Sequence, residues 1–190
     1  KGIARMQNGK VLFVAGGLPE EELEVVVLRE SRDYAVAEIV NIMTKNRRRI
    51  SPICPWYHIC GGCQLQHAAY ELQLEVKKRI VQDALVRIAK LQPAYGIDEC
   101  VPSPRAWNYR NKASFPVRGG ASGMRMGFFK AGTHDLAPID ACPVMEKRIE
   151  TLFQHILDIL PEIPLSPYDE RNHSGLLRHI VLRSGSLDRK

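Results

Sequence analysis

Apolar positions in the first fifty residues come as short β-branched runs, KVLFVAG, LEVVVL and YAVAEIVNIM. They are separated by the turn-forming stretches GGLPEE and RESRDY. This rhythm predicts strands only, up to about Asn46, and strands this short with Gly-rich turns suggest a small β-barrel of the oligonucleotide-binding type. The period then changes. Leu65, Ala69, Leu72, Val76, Ile80, Ala84, Ile88 and Leu91 recur at spacings of three or four, which predicts one long helix ended by Pro93. Leu74, Val81 and Leu85 fall outside that stripe at about 100° per residue. The apolar arc is therefore wider than one contact needs, and these three are expected to be more exposed than Leu72, Val76 and Ile80.

From Val101 to Asp140 the pattern is again that of strands. NKASFPVR and MRMGFFK flank the turn RGGASG as a hairpin, and DLAPID is a candidate third strand leading into Cys142. A second helix is expected from Pro143 to Leu160, with Pro143 in its first turn. A loop, PEIPLSPYDERN, and a last strand in GLLRHIVLRSG follow. The fold class is β-rich α+β: a small barrel followed by a mixed central domain. No internal repeat or low-complexity tract interrupts it.

Composition narrows the class. At 190 residues, with 45% hydrophobic and 25% charged positions, the chain is globular and holds one ordinary domain or two small ones. Its longest apolar run, Val11 to Ala15, is far too short to span a bilayer, as is Val25 to Leu28. With no signal-peptide pattern, a cytoplasmic setting is expected, where thiols stay reduced and metal binding is favoured over disulfides.

The net charge is +6, and the stretch from Val101 to Gly132 alone carries Arg105, Arg110, Lys112, Arg118, Arg125 and Lys130 without one acidic residue. Trp107, Tyr109, Phe115, Phe128 and Phe129 are interleaved with them. Cations that meet phosphates and rings that stack on unpaired bases make this a candidate RNA surface. The alternative is a strand pair with an aromatic core side and a solvated basic side. Arg47, Arg48 and Arg49 are either a solvated link or phosphate contacts.

Cys54, Cys60 and Cys63 lie in SPICPWYHICGGCQLQH, and Cys142 lies in DACPVM. Three thiols within ten residues, plus one brought in from afar, suit a four-thiolate centre. Only Cys60 and Cys63 form a C-x-x-C pair, and Pro follows both Cys54 and Cys142, which resembles the ending of cluster-binding runs more than a zinc ribbon. An iron–sulfur cluster, zinc and no metal all stay open on spacing. Cys100 is the expected bystander.

The segments CPWYHICGGCQLQH, SPRAWNYRNKASFPVRG, MGFFKAGTHDLAPIDACPVM and GLLRHIVLRSG, in that order, resemble the S-adenosylmethionine-dependent RNA 5-methyluridine methyltransferases that carry an iron–sulfur cluster. The opening GIARMQNGKVLFVAGGLPEEELEV is similar to their N-terminal TRAM barrel. The resemblance implies that Cys54, Cys60, Cys63 and Cys142 ligate one [4Fe–4S] cluster. It further implies that Tyr109, Arg110, Asn111 and Lys112 line a cleft for structured RNA, ribosomal in the bacterial members. The implied division is a TRAM-like barrel at 1–47, a cluster domain from 48–64 with 93–190, and a helix at 65–92 that packs on a methyltransferase domain. That catalytic domain, with its S-adenosylmethionine site, nucleophilic cysteine and proton-abstracting carboxylate, has no counterpart in these residues. The chain is therefore expected to be a clipped, inactive N-terminal and central fragment. A stand-alone RNA-binding adaptor and an electron-transfer protein are the alternatives.

Overall fold

A computed structural model describes residues 1–91, 96–120 and 123–185. The chain divides into two compact units, residues 1–52 with 64–102, and residues 53–63 with 103–190.

In the first unit, strands β1 (Gly2–Arg5), β2 (Val11–Val14), β3 (Glu22–Glu30) and β4 (Tyr34–Thr44) form one sheet in the order β1-β2-β4-β3. Period-two alternation turns Leu12 and Val14 of β2, and Ala35 and Ala37 of β4, into a small core with Met6, Leu23, Val25 and Ile39. The expected small barrel is met only as a four-stranded sheet, and no closed barrel is found among the described residues. Among these residues β1 and β3 are the two edges of the sheet, whereas the oligonucleotide-binding fold is a five-stranded, partly open barrel. Three register shifts between β3 and β4 bend that hairpin.

The helical stretch starts later than its periodicity predicts. Residues 65–69 are held in a turn and an isolated pairing: the Ile50 N–H donates to the His67 carbonyl, the Ala69 N–H to that of Arg48, and Arg49 bridges Ala68. Backbone pairing to a distant segment overrides the apolar spacing there. Helix α1 then runs Tyr70–Asp83 and widens into a π-turn at Ala84–Ile88. The stop assigned to Pro93 lies outside the described residues. Exposure along α1 does not divide as the stripe predicts. Leu72 is 2% exposed, packed on Leu18 and Ala68, but Ile80 is 61% exposed, more than Val81 at 50%. Leu74 and Leu85 are half-buried. Cover is thus graded along the axis, because only the first turns lie over Leu18.

In the second unit β5 (Lys112–Gly120) is the middle strand, between β6 (Gly123–Met126) and β9 (His179–Arg183), both antiparallel to it. The hairpin of β5 and β6 is as predicted; the centre of its turn, Ala121 and Ser122, lies outside the described residues. MRMGFFK is not one strand. The chain breaks at Gly127, where a Cβ would stand 2.1 Å from the Ala137 carbonyl oxygen. Phe128–Phe129 (β7) then pairs with Leu136–Ala137 (β8) as a separate two-stranded sheet. The DLAPID segment therefore supplies β8, not a third strand of the hairpin.

Helix α2, Lys147–Ile159, lays Ile149 and Phe153 into the core, where Phe115 meets Phe153 and Phe128 at ring-centroid distances of 4.6 and 5.1 Å. Pro143 stands ahead of this helix and not in its first turn: its carbonyl accepts the Asn108 N–H. A 3-10 turn, Leu160–Glu162, ends α2. No helix among the described residues is long and apolar enough to cross a membrane.

Candidate metal centre and nucleic-acid interface

The second unit gathers the cysteine segments through its backbone. The 53–63 loop winds tightly, the Tyr57 N–H donating to the Cys54 carbonyl and the Ile59 and Cys60 N–H groups to that of Trp56. It is then fastened to β7: the Gly61 N–H donates to Phe129 and Cys60 bridges Lys130. The approach is close enough that a Cβ on Gly61 would stand 3.0 Å from the Ala131 Cα, which is why the glycine after Cys60 is needed. The Trp56 indole N–H donates to Asp140 at 2.6 Å, tying the loop to the segment that carries Cys142. A strap, Trp107–Arg110, runs beside that segment: the Asn108 and Arg110 N–H groups donate to Pro143 and Val144, and the Arg110 carbonyl accepts from Glu146.

All four predicted thiols are in this unit and none is in a disulfide. Cys100 belongs to the first unit. Burial pushes the thiols of Cys54, Cys60 and Cys142 above their usual range. They are near enough for charge on one to be felt by the others: Cys54 senses Cys142, Cys63 and Cys60, and Cys60 senses Cys63 and Cys142. Backbone N–H groups point back at the sulfurs, Trp56 at Cys54, Gly62 at Cys60 (3.4 Å), and Val144 and Met145 at Cys142. Such bonds favour thiolate over thiol. The donor set therefore fits a cationic inorganic centre: soft, partly dry and preset by N–H groups. Among the described residues no three His, Cys, Asp or Glu side chains converge tightly enough to grip one metal ion.

The residues expected to meet RNA separate into two kinds. Tyr109 is 57% exposed, and Asn111 and Lys112 are exposed at the start of β5. Arg110 is half-buried instead, its guanidinium 5.8 Å from the centre of the Phe128 ring. The local turn belongs to Asn108, at φ +54°, a conformation asparagine tolerates.

Alternation along β5 puts Ala113, Phe115 and Val117 in the core and Lys112, Ser114 and Arg118 on the other face. Register then sets Lys112 beside Arg183 and Arg118 beside Arg125. Like charges directly opposite one another are unfavourable, and an anion lying on this face would relieve them. Arg118 is partly answered by Glu170, at 2.6 Å, and by the Phe129 ring. The basic stretch read from 101–132 omitted Arg183 and His179. The signal was present in HIVLR, where Ile180 and Leu182 turn inward and the alternate residues outward.

Of the three-arginine run, Arg48 pairs with Glu75 and Arg49 with Glu21, within the first unit. Arg47 is exposed and, among the described residues, in no ion pair.

No protein-family model matches the chain. An uncharacterized RNA methyltransferase of Gloeobacter violaceus is 36% identical over 97% of this chain and 40% of its own length. Another, of Bacillus cereus, is 33% identical over 98% of this chain and 40% of its own. Among solved structures, the tRNA (uracil-54, C5)-methyltransferase of Pyrococcus abyssi, crystallised with S-adenosyl-L-homocysteine, superposes with a TM-score of 0.63. It is 26% identical and matched over 97% of this chain and 42% of its own. This chain is a homologue of proteins named as RNA methyltransferases, over nearly all of its own length and about two fifths of theirs.

Proposed function

We propose that the chain is the RNA-gripping and cluster-binding part of an S-adenosylmethionine-dependent RNA uracil-5-methyltransferase, acting on structured RNA, with ribosomal RNA as the first candidate. The observation that carries the reading is the joint match: nearly all of this chain aligns with about two fifths of proteins named as RNA methyltransferases, and a structural neighbour is a tRNA uracil-C5 methyltransferase. Within that reading Cys54, Cys60, Cys63 and Cys142 hold a [4Fe–4S] cluster, and Lys112, Arg125 and Arg183 present the basic face to phosphates. Bound, the cluster supplies a structural staple between the 53–63 loop and Cys142. In this reading Tyr109 and Asn111, exposed beside Lys112, meet bases. Methyl transfer itself belongs to residues of the longer parent protein, and the exposed end of α1, with Ile80 and Val81, is where that remainder packs.

The parent protein, given labelled S-adenosylmethionine and ribosomal or transfer RNA transcripts, is expected to produce 5-methyluridine, read by mass spectrometry of digested RNA. Methylation at cytosine or adenine only would refute the uracil assignment. A second expected outcome concerns binding. Each phosphate contact contributes about one unit to the dependence of log affinity on log salt, so Lys112→Ala with Arg183→Ala should lower that slope by about two. An unchanged slope would make this face a solvated surface only.

A further inference from the structure

Arg110 is placed unlike the other basic residues of its segment. Its backbone is locked on both sides, donating to Val144 and accepting from Glu146, so that it lies in parallel register with Met145, three residues beyond Cys142. Its guanidinium lies over Phe128 at 5.8 Å, and Phe128 belongs to the strand that also anchors Gly61 and Cys60. The side chain thus sits where the two cysteine-bearing segments are drawn together. Among the described residues it has no carboxylate within ion-pair distance, whereas Arg48, Arg49 and Arg118 each have one. Arg110 as a whole is only partly exposed, and a cation withdrawn from water without a carboxylate partner is costly unless some other negative charge answers it.

We propose that Arg110 is a positioning residue for the thiolate centre: its fixed positive charge, held by Phe128 and the 143–146 strap, is the counter-charge to the thiolate-ligated group, and it does not contact RNA. This rests on the cluster reading. A four-thiolate cluster is negatively charged, and net charge around it is one of the quantities that set its potential. Reduction adds one electron, drawn from an external reductant such as dithionite, and no proton needs to move. A nearby cation favours the reduced form.

The test uses anaerobically purified protein with its cluster, in the variants Arg110→Lys and Arg110→Met. Reduction potential is followed by electron paramagnetic resonance, and iron release to a chelator by absorbance. Arg110→Met is expected to show a more negative potential and faster iron loss, and Arg110→Lys to stay near the parent in both. RNA affinity and its salt slope should be unchanged in Arg110→Lys and Arg110→Met alike. Equal potentials and iron-loss rates in all three proteins would overturn the proposal. So would cluster loss in both variants with normal circular dichroism, since packing alone would then explain it. Cluster loss in Arg110→Met with retention in Arg110→Lys supports it. A parent protein free of iron would sink the cluster reading itself, a result separable from any of these.

Discussion

Changing any one of Cys54, Cys60, Cys63 or Cys142 to Ser is expected to strip most of the iron and the brown colour from the protein, whereas Cys100→Ser should leave both intact. The expectation follows from how the site is assembled. The 53–63 loop has few apolar residues of its own in the core; Trp56, Cys60 and Cys63 pack against it only partly. Its position depends on a handful of backbone hydrogen bonds and the Trp56–Asp140 contact. A centre ligated by both segments closes a loop of some eighty residues between Cys63 and Cys142, and ligation free energy then becomes folding free energy. Each Ser variant should therefore also unfold its second unit at markedly lower temperature. Iron retained in two or more of the four variants would remove those residues from the site.

Glu21→Ala is expected to destabilise the first unit by about 3–5 kcal/mol, the usual cost of stranding one partner of a buried ion pair. Glu21 lies at 0% side-chain exposure, its carboxylate clasped by Arg49 through two bonds of 2.5 and 2.6 Å. The N–H groups of Leu18 and Asn46 complete its shell. Arg49 also donates to the Gly16 carbonyl, so the pair joins the strand-turn residues to the chain that leads toward α1. Burial raises the Glu21 pKa, but the Arg49 hydrogen bonds and the two N–H groups outweigh it and hold the carboxyl below its usual range. With the folded value lowered, the stabilisation is complete above the unfolded value of about 4.3 and is lost as pH falls through the folded one. Thermal melts should thus show parent and Glu21→Gln furthest apart at neutral pH and converging under acid. Pairing Glu21→Leu with Arg49→Met should recover part of the loss, since an apolar pair strands no charge. Parallel melting curves across pH would contradict this account.

Local pattern was legible where local pattern decides. Alternation found β2, β3, β4, β5 and β9, and three-to-four spacing found α1 and α2, most clearly where one face is buried, as in β2, β5 and α2. It failed where distant backbone intervened. Leu65 to Ala69 fit the helical stripe yet pair with residues 48–50. Gly127 breaks an apolar run because the Ala137 carbonyl needs its space, and nothing local announces that. No closed barrel is found among the described residues, and pairing between edge strands is a property of the whole sheet that no single run announces. At the site, clustering in sequence brought Cys54, Cys60 and Cys63 to notice, and only the fold brings Cys142 and Arg110 to them. Arg110 looked like one more cation in a basic run; its fixed place over Phe128 comes from tertiary structure. Arg183, seventy residues from Lys112, becomes its neighbour only through strand register.

Iron and acid-labile sulfide per chain, counted together with zinc in anaerobically purified protein and accompanied by a Mössbauer spectrum, test the central claim most directly. The account predicts about four irons and four sulfides with the signature of a four-thiolate cubane. One tightly held zinc and no sulfide, in a protein that is otherwise fully folded, would contradict it.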